Sequence, residues 1–579
     1  MAHTLHMRRL MALLQQARRA NLKDEEQAAP VVADRSPRIS RRSFLRMAVV
    51  GSMGLTAACQ NPPAAAPTAV PETSEQGATP TVAPETSEHG TSPTAESDPN
   101  GATPRIAIIG GGIAGLHAAY QLKQAGYMAT VYEARDRTGG RMHSVTGFLA
   151  DDLVTDLGGS FVNTDHEDML NLVDTFGLTL VDRKADAERL FASDMIPPVG
   201  YFLNGQHYTE AEMIELLRPL VDQITADADA LDEDFDTVAA EFDQLSVADY
   251  LDQQSDSIPD PVVRTLIEQA IRSEYGVEPE NASALELMFM LPTIDGERVE
   301  LLGYSDEQFM VAGGTQQITQ ALTDALEGQI QLEQQLTRLE AQDSGFKLTL
   351  NDTEELEADY VIIAIPFTVL RQIPLEVELP EGLSRFIDEA HLGRNEKIIA
   401  GFSERVWHMP DGFAQDAWTD LSFPVVWDET QRQPEREDGA LTLFFGGDQA
   451  VPTSDEGLKG LVEALETHLP GATEASTATF LPTAWNDTPF TLGSYTTFGP
   501  GQYTAFVDYL YIESDDPEER QDVYVDNLIF AGEHLSDAYY GFMNGGAETG
   551  RLAAEVVLQL IEEQSTSEEQ SIRLPLVLN

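Results

Sequence analysis

Residues 105–141 constrain the fold of this chain more than any other stretch. Residues 106–109 are a short apolar run rich in β-branched side chains, which predicts a buried parallel strand. The run leads directly into a G-x-G-x-x-G sequence at residues 110–115 and then into an amphipathic helical pattern that stops at Gly126. Residues 130–133 predict a second strand, which ends in an acid about 20 residues after the glycines. This order predicts a dinucleotide-binding βαβ unit.

Each glycine of this unit has a physical role. Gly110 permits a tight turn, Gly112 allows a pyrophosphate to approach the backbone, and Gly115 allows the helix to pack closely on the strand. The N-terminus of the helix directs N–H groups and partial positive charge at the phosphates. The acid, Glu133, can accept hydrogen bonds from the adenosine ribose. A glycine-rich turn alone is weak support for nucleotide binding, so the prediction depends on the complete βαβ context.

Residues 137–141, Arg-Thr-Gly-Gly-Arg, narrow the choice of cofactor. Alone, this motif would be a glycine turn with two solvated arginines. After the second strand of a dinucleotide fold, it resembles the R-x-G-G-R signature of the flavin-containing amine oxidase family. The resemblance implies FAD rather than NAD, with Arg137, Gly140 and Arg141 placed around the pyrophosphate.

The charge of the chain argues against nucleic acid as a partner. The formal net charge is −62, and the basic residues are concentrated at the start of the chain. Residues 1–47 hold ten Lys and Arg against four Asp and Glu, which leaves 25 basic and 93 acidic residues in the rest. Such a body would repel phosphates. A solvated acidic surface is the simpler explanation of the charge, and a cationic substrate is the alternative.

The N-terminal part of the chain predicts export. Residues 40–46, Ser-Arg-Arg-Ser-Phe-Leu-Arg, resemble a twin-arginine signal, and a short apolar segment follows them. That segment ends at Cys59, the only cysteine of the chain, in a sequence that resembles a lipoprotein cleavage box, although Thr56 stands where an aliphatic residue is usual. We expect residues 1–59 to be a signal and Cys59 to carry a lipid anchor, with an inert thiol as the alternative. The Pro/Thr/Glu-rich residues 60–104 predict a disordered tether, which would leave the folded part at the extracytoplasmic face of the membrane.

Two adjacent glycines, Gly158 and Gly159, predict a turn or a close backbone approach. Beside the R-x-G-G-R motif, they resemble the D-L-G-G/A segment of flavin amine oxidases, whose backbone lies near the isoalloxazine. By the same resemblance, Leu336 in a predicted strand would lie against the adenine. An ordinary core position explains Leu336 equally well.

Lys397 stands immediately before an apolar strand in a very acidic chain. A lysine at a strand end that keeps its charge in water is the commoner case. Residues 393–407, however, resemble the lysine-bearing strand of monoamine oxidases, polyamine oxidases and flavin-type histone demethylases. In those enzymes the lysine holds a water that hydrogen-bonds flavin N5, and the resemblance implies this role for Lys397.

The segment from Trp485 to Tyr495 matches a tryptophan–glycine–tyrosine pattern of the same family. The resemblance implies that Trp485 lies near the cofactor and that Tyr495 is an aromatic wall facing the flavin. In monoamine oxidases the residue before this tyrosine is a cysteine bonded covalently to the flavin, whereas here it is Ser494. We therefore expect FAD to be bound non-covalently.

Residues 530–533, Phe-Ala-Gly-Glu, end a predicted buried strand near the C-terminus. They resemble a family motif in which Gly532 would lie against the cofactor and the acid, here Glu533, bonds the ribitol. The helix that follows would begin near Met543 and direct its N-terminus at the flavin, where its dipole would stabilise negative charge. Phe542 would be the second aromatic wall, opposite Tyr495. We assign no role to His534.

Together the motifs predict an α/β fold with a Rossmann-like FAD-binding domain and a mixed-sheet plus helical substrate domain, as in amine oxidases. We expect a discontinuous FAD-binding domain formed by residues 105–175, 305–345 and 525–562. Residues 176–304 and 346–524 would form the substrate-binding domain. Residues 563–579 would be a C-terminal tail.

The resemblance, which covers about residues 105–562, implies an FAD-dependent amine oxidase that requires no metal. A neutral amine or L-amino acid would lie between Tyr495 and Phe542 and lose a hydride to FAD, giving an imine, while O2 is reduced to H2O2. L-amino acid oxidases usually pair an arginine with the substrate carboxylate, and no arginine can be assigned that role from the sequence. The alternatives are a desaturase or protoporphyrinogen-type oxidase of the same fold, and a lipid-anchored flavoprotein that only binds a ligand.

Overall fold

The computed structural model describes residues 104–290, 292–295, 298–302, 305–449, 451–514 and 516–573. The predicted export signal, the anchor at Cys59 and the tether up to residue 103 lie outside these residues.

A six-stranded sheet presents the glycine-rich turn. Its strand Ile106–Ile109 is fully buried, because its alternate side chains pack into two different apolar cores. Two neighbouring strands pair with it in parallel. In spatial order the strands are Ile330–Gln331, Ala129–Tyr132, Ile106–Ile109, Tyr360–Ile363, Leu528–Phe530 and Tyr524–Val525. The predicted Rossmann-like fold is confirmed, and its second strand begins one residue earlier than expected.

Two helices pack together beside this sheet, Ile113–Gln124 and Met543–Arg573. Where they meet, a β-carbon on Gly550 would lie only 2.2 Å from the carbonyl oxygen of Ala114. The helices can approach this closely because residue 550 has no side chain. The C-terminal helix continues past residue 562, so the segment predicted as a tail is helical as far as Arg573.

One predicted domain boundary is wrong. Residues from 346 onwards were expected in the substrate domain, yet strand Tyr360–Ile363 pairs with Ile106–Ile109 in the six-stranded sheet. Only Asp359 separates it from the preceding strand, Glu354–Ala358. That strand belongs to a separate four-stranded sheet with the order Glu354–Ala358, Phe346–Leu350, Leu336–Ala341 and Leu375–Glu376. The boundary was misplaced because the two sheets meet within one residue, where the acidic run Glu354–Ala358 gives way to the apolar run Tyr360–Ile363.

A seven-stranded mixed sheet forms the second large layer. Its strand Glu396–Phe402 is buried at every position, since it has paired strands on both edges and apolar clusters on its faces. In spatial order the strands are Ser476–Pro482, Glu396–Phe402, Gly439–Phe445, Val425–Asp428, Asp416–Thr419, Val199–Leu203 and Gln206–Tyr208. Lys397 therefore lies inside the protein rather than in water.

Residues 210–290 are mostly helical. The helix Glu210–Glu233 begins with a capping box between Thr209 and Glu212, and its buried face carries leucine and isoleucine at helical spacing. The further helices of this region are Phe235–Asp243, Val247–Gln253, Pro261–Tyr275 and Ala284–Met290. Their apolar faces join the largest hydrophobic core.

Smaller elements complete the fold. The remaining helices are Glu167–Thr175, Arg183–Asp194, Gln316–Ala325, Phe367–Leu370, Glu381–Glu389, Asp455–Leu465, Ala472–Ala475 and Gln502–Phe506. The remaining strands are Ser144–Thr146, Val154–Asp156, Phe161–Val162, Leu180–Asp182, Thr293–Asp295, Arg298–Glu300, Phe309–Val311, His391–Leu392 and Thr496–Thr497. Of the helices that the described residues form, none combines the length and the apolar character needed to span a membrane.

Candidate active site

Two adjoining cavities lie between the layers. The glycine-loop cavity is lined by Gly110, Gly112, Glu133 and Gly532. The lysine cavity is lined by Lys397 and by many aromatic side chains. The residues common to both linings are Arg141, Gly159, Ser494, Tyr495, Gly541, Phe542 and Met543. The two cavities are therefore parts of one site.

The glycines at residues 110–115 have the geometry of a phosphate-binding turn. Gly110 has a φ of +109°, and a β-carbon there would lie 2.5 Å from the carbonyl oxygen of Ala364. A β-carbon on Gly115 would lie 2.0 Å from the carbonyl oxygen of Gly110, so Gly115 permits close packing but lines neither cavity. A β-carbon on Gly112 would meet nothing within 4 Å. The space over Gly112, at the start of helix Ile113–Gln124, is thus left for a ligand.

Glu133 is buried at the end of the second strand and faces the glycine-loop cavity. Its carboxylate accepts hydrogen bonds from the backbone N–H groups of Gly111, at 2.6 Å, and Arg135, at 2.9 Å. These bonds fix the carboxylate beside the turn and leave lone pairs on both oxygens for a ribose.

Three arginines stand around the same turn. Arg141 lines both cavities, and Arg135, which the sequence did not indicate, lines the glycine-loop cavity. Arg137 lies behind the lining and donates to the carbonyl oxygens of Thr138 and Gly140 at 3.0 and 2.9 Å. Burial, together with the positive charge of Arg135, lowers the pKa of Arg137, so an anion in the cavity would stabilise both guanidinium groups.

The glycine-loop cavity fits FAD. It offers an open glycine turn, a helix N-terminus and a cationic rim for a pyrophosphate, and Glu133 for a ribose. Leu336 lines the same cavity, and its contact with the adenine stays a prediction. His534, to which we assigned no role, also lines it and is 2 % exposed, and neither of its ring nitrogens has a hydrogen-bond partner among the described residues. A buried imidazole of this kind suits the polar surface of a bound cofactor.

The turn at Gly158 and Gly159 is held by residues that are distant in sequence. Lys397 Nζ donates to the carbonyl oxygens of Asp156, at 3.0 Å, and Gly158, at 2.6 Å, and to Ser160 Oγ, at 2.8 Å. Trp485 Nε1 donates to the carbonyl oxygen of Leu157 at 2.9 Å. The structure thus brings together predicted residues from three separate motifs.

Both glycines of this turn are needed for packing. A β-carbon on Gly158 would lie 1.7 Å from the carbonyl oxygen of Arg141, and one on Gly159 would lie 2.7 Å from Met543 Sδ. Met543 is the first residue of the C-terminal helix, so the turn sits directly against the start of that helix. Gly158 and Trp485, predicted as cofactor residues, line the lysine cavity, whereas Gly159 and Met543 line both.

The Lys397 side chain is 6 % exposed, and burial lowers the pKa of its ammonium. Its three hydrogen-bond acceptors match the three N–H groups of an ammonium. The charge lies 5.1 Å from the centre of the Trp427 ring. The observed contacts show that Lys397 stabilises the turn at Gly158 and Gly159. Its role in holding a water beside the flavin stays a prediction.

Tyr495 and Phe542 both line the lysine cavity and the glycine-loop cavity. The Tyr495 hydroxyl donates to the carbonyl oxygen of Ser273 at 3.0 Å, and the Phe542 ring packs edge-on against His166 at 5.2 Å. The two rings therefore stand where the cavities join, as expected of walls beside a flavin.

Glu533 joins the segments that carry these two rings. Its carboxylate accepts from the Thr496 N–H and hydroxyl, at 3.3 and 3.1 Å, and from the Gly541 N–H at 2.7 Å. It also pairs with Arg141 at 2.7 Å. Although burial opposes it, the Arg141 guanidinium keeps the pKa of Glu533 below its ordinary value. The carboxylate is therefore ionised and fixed at the edge of the glycine-loop cavity.

Three acids that no sequence motif indicated also line the lysine cavity: Glu274, Glu307 and Asp416. Two of them share Arg183, which is 1 % exposed and bonds Asp416 at 2.6 Å and Glu307 at 3.3 Å. Burial and the charge of Asp416 raise the pKa of Glu307 to about 7, against the influence of Arg183. Because these acids come from separate segments of the chain, no local sequence motif predicts that they lie together.

Glu307 also has an unusual backbone. Its backbone φ angle is +42°, a conformation that residues other than glycine rarely adopt. Such strain is found where the surrounding structure holds a residue for a function. This feature singles out Glu307 among the acids, but it is visible only in the structure.

Comparisons with known proteins agree with this site. The sequence profile of the family described as flavin containing amine oxidoreductase matches residues 113–558. Flavin-containing amine oxidase B of Sus scrofa is 24% identical over 497 residues, which cover 81% of this chain and 90% of that protein. Polyamine oxidase 3 of Oryza sativa subsp. japonica is 26% identical over 475 residues, which cover 78% of this chain and 89% of that protein.

Solved structures show the same fold. Wild-type putrescine oxidase bound to putrescine has a TM-score of 0.65 and 22% identity, and the match covers 79% of this chain and 99% of that one. Cyclohexylamine oxidase from Brevibacterium oxydans has a TM-score of 0.64 and 24% identity, with 79% and 100% covered. Since the family profile spans most of its length, this chain belongs to the flavin-containing amine oxidoreductase family.

Proposed function

We propose that this chain is an FAD-dependent oxidase of a diamine or polyamine. It would convert a C–N bond of the substrate to an imine and reduce O2 to H2O2. The family supports the amine oxidase class, and the acids of the lysine cavity support the choice of substrate.

FAD bound along the glycine-loop cavity would supply the electron acceptor. Arg135 and Arg141 would hold its pyrophosphate, and Glu133 its ribose. Ser494 stands at the position of the covalent cysteine and bonds Asn395 Oδ1 at 2.7 Å, so we expect acid to release the cofactor intact.

The acidic lining of the lysine cavity is the observation that carries the substrate proposal. Glu307 and Asp416 share a single guanidinium, that of Arg183, so the group keeps a net negative charge once both acids are ionised. Glu274 lines the same cavity. A substrate with a second ammonium group would compensate this charge while its reacting amine lies between Tyr495 and Phe542.

An L-amino acid fits this cavity less well. Arg141 and Lys397 are the basic side chains among the described residues that line it. Arg141 already bonds Glu533 and the carbonyl oxygen of Ser494, and Lys397 bonds the glycine turn. A substrate carboxylate would therefore meet carboxylates rather than an available guanidinium.

A substrate panel tests the proposal directly. Full-length protein loaded with FAD is assayed for peroxide release with putrescine, spermidine, benzylamine and L-leucine. We expect the highest kcat/KM for putrescine or spermidine. A clear preference for L-leucine or benzylamine would show that the acids do not select the substrate.

We also propose that the chain is exported through its twin-arginine signal and anchored by a lipid on Cys59. The motif at residues 40–46 and the position of Cys59 after an apolar segment support this. Labelling with a radioactive fatty acid should mark the wild type and not the Cys59→Ala variant. Equal labelling of the two would refute the anchor.

A further inference from the structure

Glu286 lies in helix Ala284–Met290, behind the lysine cavity, and is 1 % exposed. One carboxyl oxygen accepts from the backbone N–H of Phe498 at 2.7 Å. The other accepts from the hydroxyl of Tyr540 at 2.7 Å. This buried acid thus connects two segments that are more than 40 residues apart in the chain.

Those two segments carry the aromatic walls. Phe498 follows Tyr495 by three residues, and Tyr540 precedes Phe542 by two. The Phe498 and Tyr540 rings also pack edge-on, with their centres 5.1 Å apart. A shift of Glu286 would therefore be transmitted to both walls.

A third segment meets the same acid. The hydroxyl of Tyr275, which lines the lysine cavity, donates to the backbone carbonyl oxygen of Glu286 at 2.8 Å. Two residues earlier, the carbonyl oxygen of Ser273 accepts from Tyr495. The end of helix Pro261–Tyr275 is thus tied both to Glu286 and to the first wall.

Glu286 and Glu533 bond the same pair of segments at different residues. Glu533, which lines the glycine-loop cavity, joins them at Thr496 and Gly541. Glu286, which lines neither cavity, joins them at Phe498 and Tyr540. We propose that Glu286 is a positioning residue that sets the separation of the Tyr495 and Phe542 walls. The inference depends on the proposed function for the role of those walls.

The two acids differ in their electrical surroundings. Glu533 pairs with Arg141, whereas the hydrogen-bond donors to the Glu286 carboxyl are neutral. Burial raises the pKa of Glu286 to about 8, and the carboxylate of Asp243 adds to the effect. The neutral carboxyl can keep both links, since one oxygen accepts from Phe498 while the other shares a proton with Tyr540. A glutamine could make the same pair of contacts, and a leucine could make neither.

This difference supplies the test. In the full-length FAD-loaded protein, the limiting rate of flavin reduction by the best amine substrate is measured for Glu286→Gln and Glu286→Leu. We expect a loss of about tenfold or more for Glu286→Leu, because small displacements of positioned groups are costly to rate. We expect Glu286→Gln to stay within about threefold of the wild type, since it preserves both links. The FAD dissociation constant should change little in either variant, because Glu286 does not line the glycine-loop cavity.

Asp227→Leu is the matched control. Asp227 also accepts a hydrogen bond from a tyrosine hydroxyl, that of Tyr250, at 2.7 Å, but it lies in helix Glu210–Glu233 and lines neither cavity. Its variant reports what the loss of a link between an acid and a tyrosine does to flavin reduction in general. Slow flavin reduction in Glu286→Leu beside normal reduction in Asp227→Leu supports the proposal. A wild-type rate of flavin reduction in Glu286→Leu, or equal slowing in Glu286→Gln and Glu286→Leu, overturns it.

A measurement that needs no substrate distinguishes a failure of this proposal from a failure of the proposed function. Near-ultraviolet circular dichroism reports the fixed surroundings of the aromatic side chains of the protein, which include Tyr275, Tyr495 and Tyr540. The signal should fall in Glu286→Leu and persist in Glu286→Gln, even if no amine reduces the wild type. If Glu286→Leu does not fold, Tyr540→Phe, which breaks one link from the other side, should reduce flavin at least about threefold more slowly. An unchanged rate in that variant would overturn the proposal.

Discussion

Glu307 combines strain, burial and a shared arginine at the wall of the lysine cavity. Its pKa of about 7 means that the side chain gains its negative charge as the pH rises through neutrality. The neighbouring Asp416 keeps its own bond to Arg183. The second ammonium of a diamine should therefore be attracted more strongly above pH 7 than below it.

The pH dependence of the Michaelis constant tests this charge. Between about pH 6 and pH 8, the ratio of the KM for putrescine to the KM for benzylamine should fall about three- to tenfold in the wild type. A fall of this size corresponds to an interaction of roughly one pKa unit or less between Glu307 and the second ammonium group. The ratio removes effects on the reacting amine that the two substrates share.

In Glu307→Gln the same ratio should not change with pH. The surface variant Glu463→Gln, on an exposed position of helix Asp455–Leu465, should behave like the wild type. A ratio that falls equally in Glu307→Gln would place the titrating group elsewhere.

Lys397 shows how far a single side chain can be interpreted from sequence. Its position in a family motif predicted a place beside the flavin, and the structure does place it in the cavity lining. Its bonds to Asp156, Gly158 and Ser160 could not be foreseen, because they depend on how two distant segments meet. For the same reason, the sequence did not indicate that Glu274, Glu307 and Asp416 line the cavity.

Removing the Lys397 ammonium should loosen the turn that it fastens. In Lys397→Met the buried carbonyl oxygens of Asp156 and Gly158 lose their donor, which costs about 1–3 kcal/mol for each unsatisfied group. We expect flavin reduction to slow by about tenfold or more, measured by rapid mixing without oxygen.

Lys347→Met is the control for that substitution. Lys347 also lies in a strand, Phe346–Leu350, but pairs with Glu340 and Glu355 at the surface. Such pairs contribute little, so this variant should keep wild-type kinetics. Normal flavin reduction in Lys397→Met would refute the role assigned to the lysine.

The helices and strands differ in how well the sequence revealed them. Strand Ile106–Ile109 and the helix after it carried apolar periodicity and glycine punctuation, so their existence and order were predictable. The change of sheet at Asp359 was missed, because only this residue separates the acidic strand Glu354–Ala358 from the apolar strand Tyr360–Ile363. The extent of helix Met543–Arg573 was also underestimated, since its polar C-terminal part has no apolar stripe to mark it.

The contact between helices Ile113–Gln124 and Met543–Arg573 gives a prediction for stability. Alanine usually stabilises a helix interior by about 0.5–1 kcal/mol relative to glycine. At Gly550 the added methyl would meet the backbone of Ala114, so Gly550→Ala should destabilise the fold by about 1–3 kcal/mol. The free energy of unfolding in urea measures the difference.

Gly460 provides the opposite case. It lies in helix Asp455–Leu465, and a β-carbon there would meet nothing within 4 Å. Gly460→Ala should therefore be neutral or stabilising by up to about 1 kcal/mol. Equal effects of the two substitutions would mean that the helices are not as closely packed as the structure shows.

The complete fold places a dinucleotide cavity from the six-stranded sheet against an acidic, aromatic cavity from the seven-stranded sheet. Motifs in the sequence predicted the glycine turn, the acid and the helix N-terminus of the first cavity, because these are local features, but they did not indicate Arg135 or His534. The second cavity is assembled from segments between residues 141 and 543, so its chemistry emerged only from the fold. The choice of a diamine is therefore the part of the proposed function that rests on the structure.

Anaerobic mixing of the full-length, FAD-loaded protein with putrescine tests the proposed choice of substrate most directly. The absorbance of oxidised flavin should disappear in a single turnover, and it should do so faster with putrescine than with benzylamine or L-leucine at the same concentration. Flavin that stays oxidised in the presence of every amine, or that is reduced only by the amino acid, would contradict the proposed diamine oxidase.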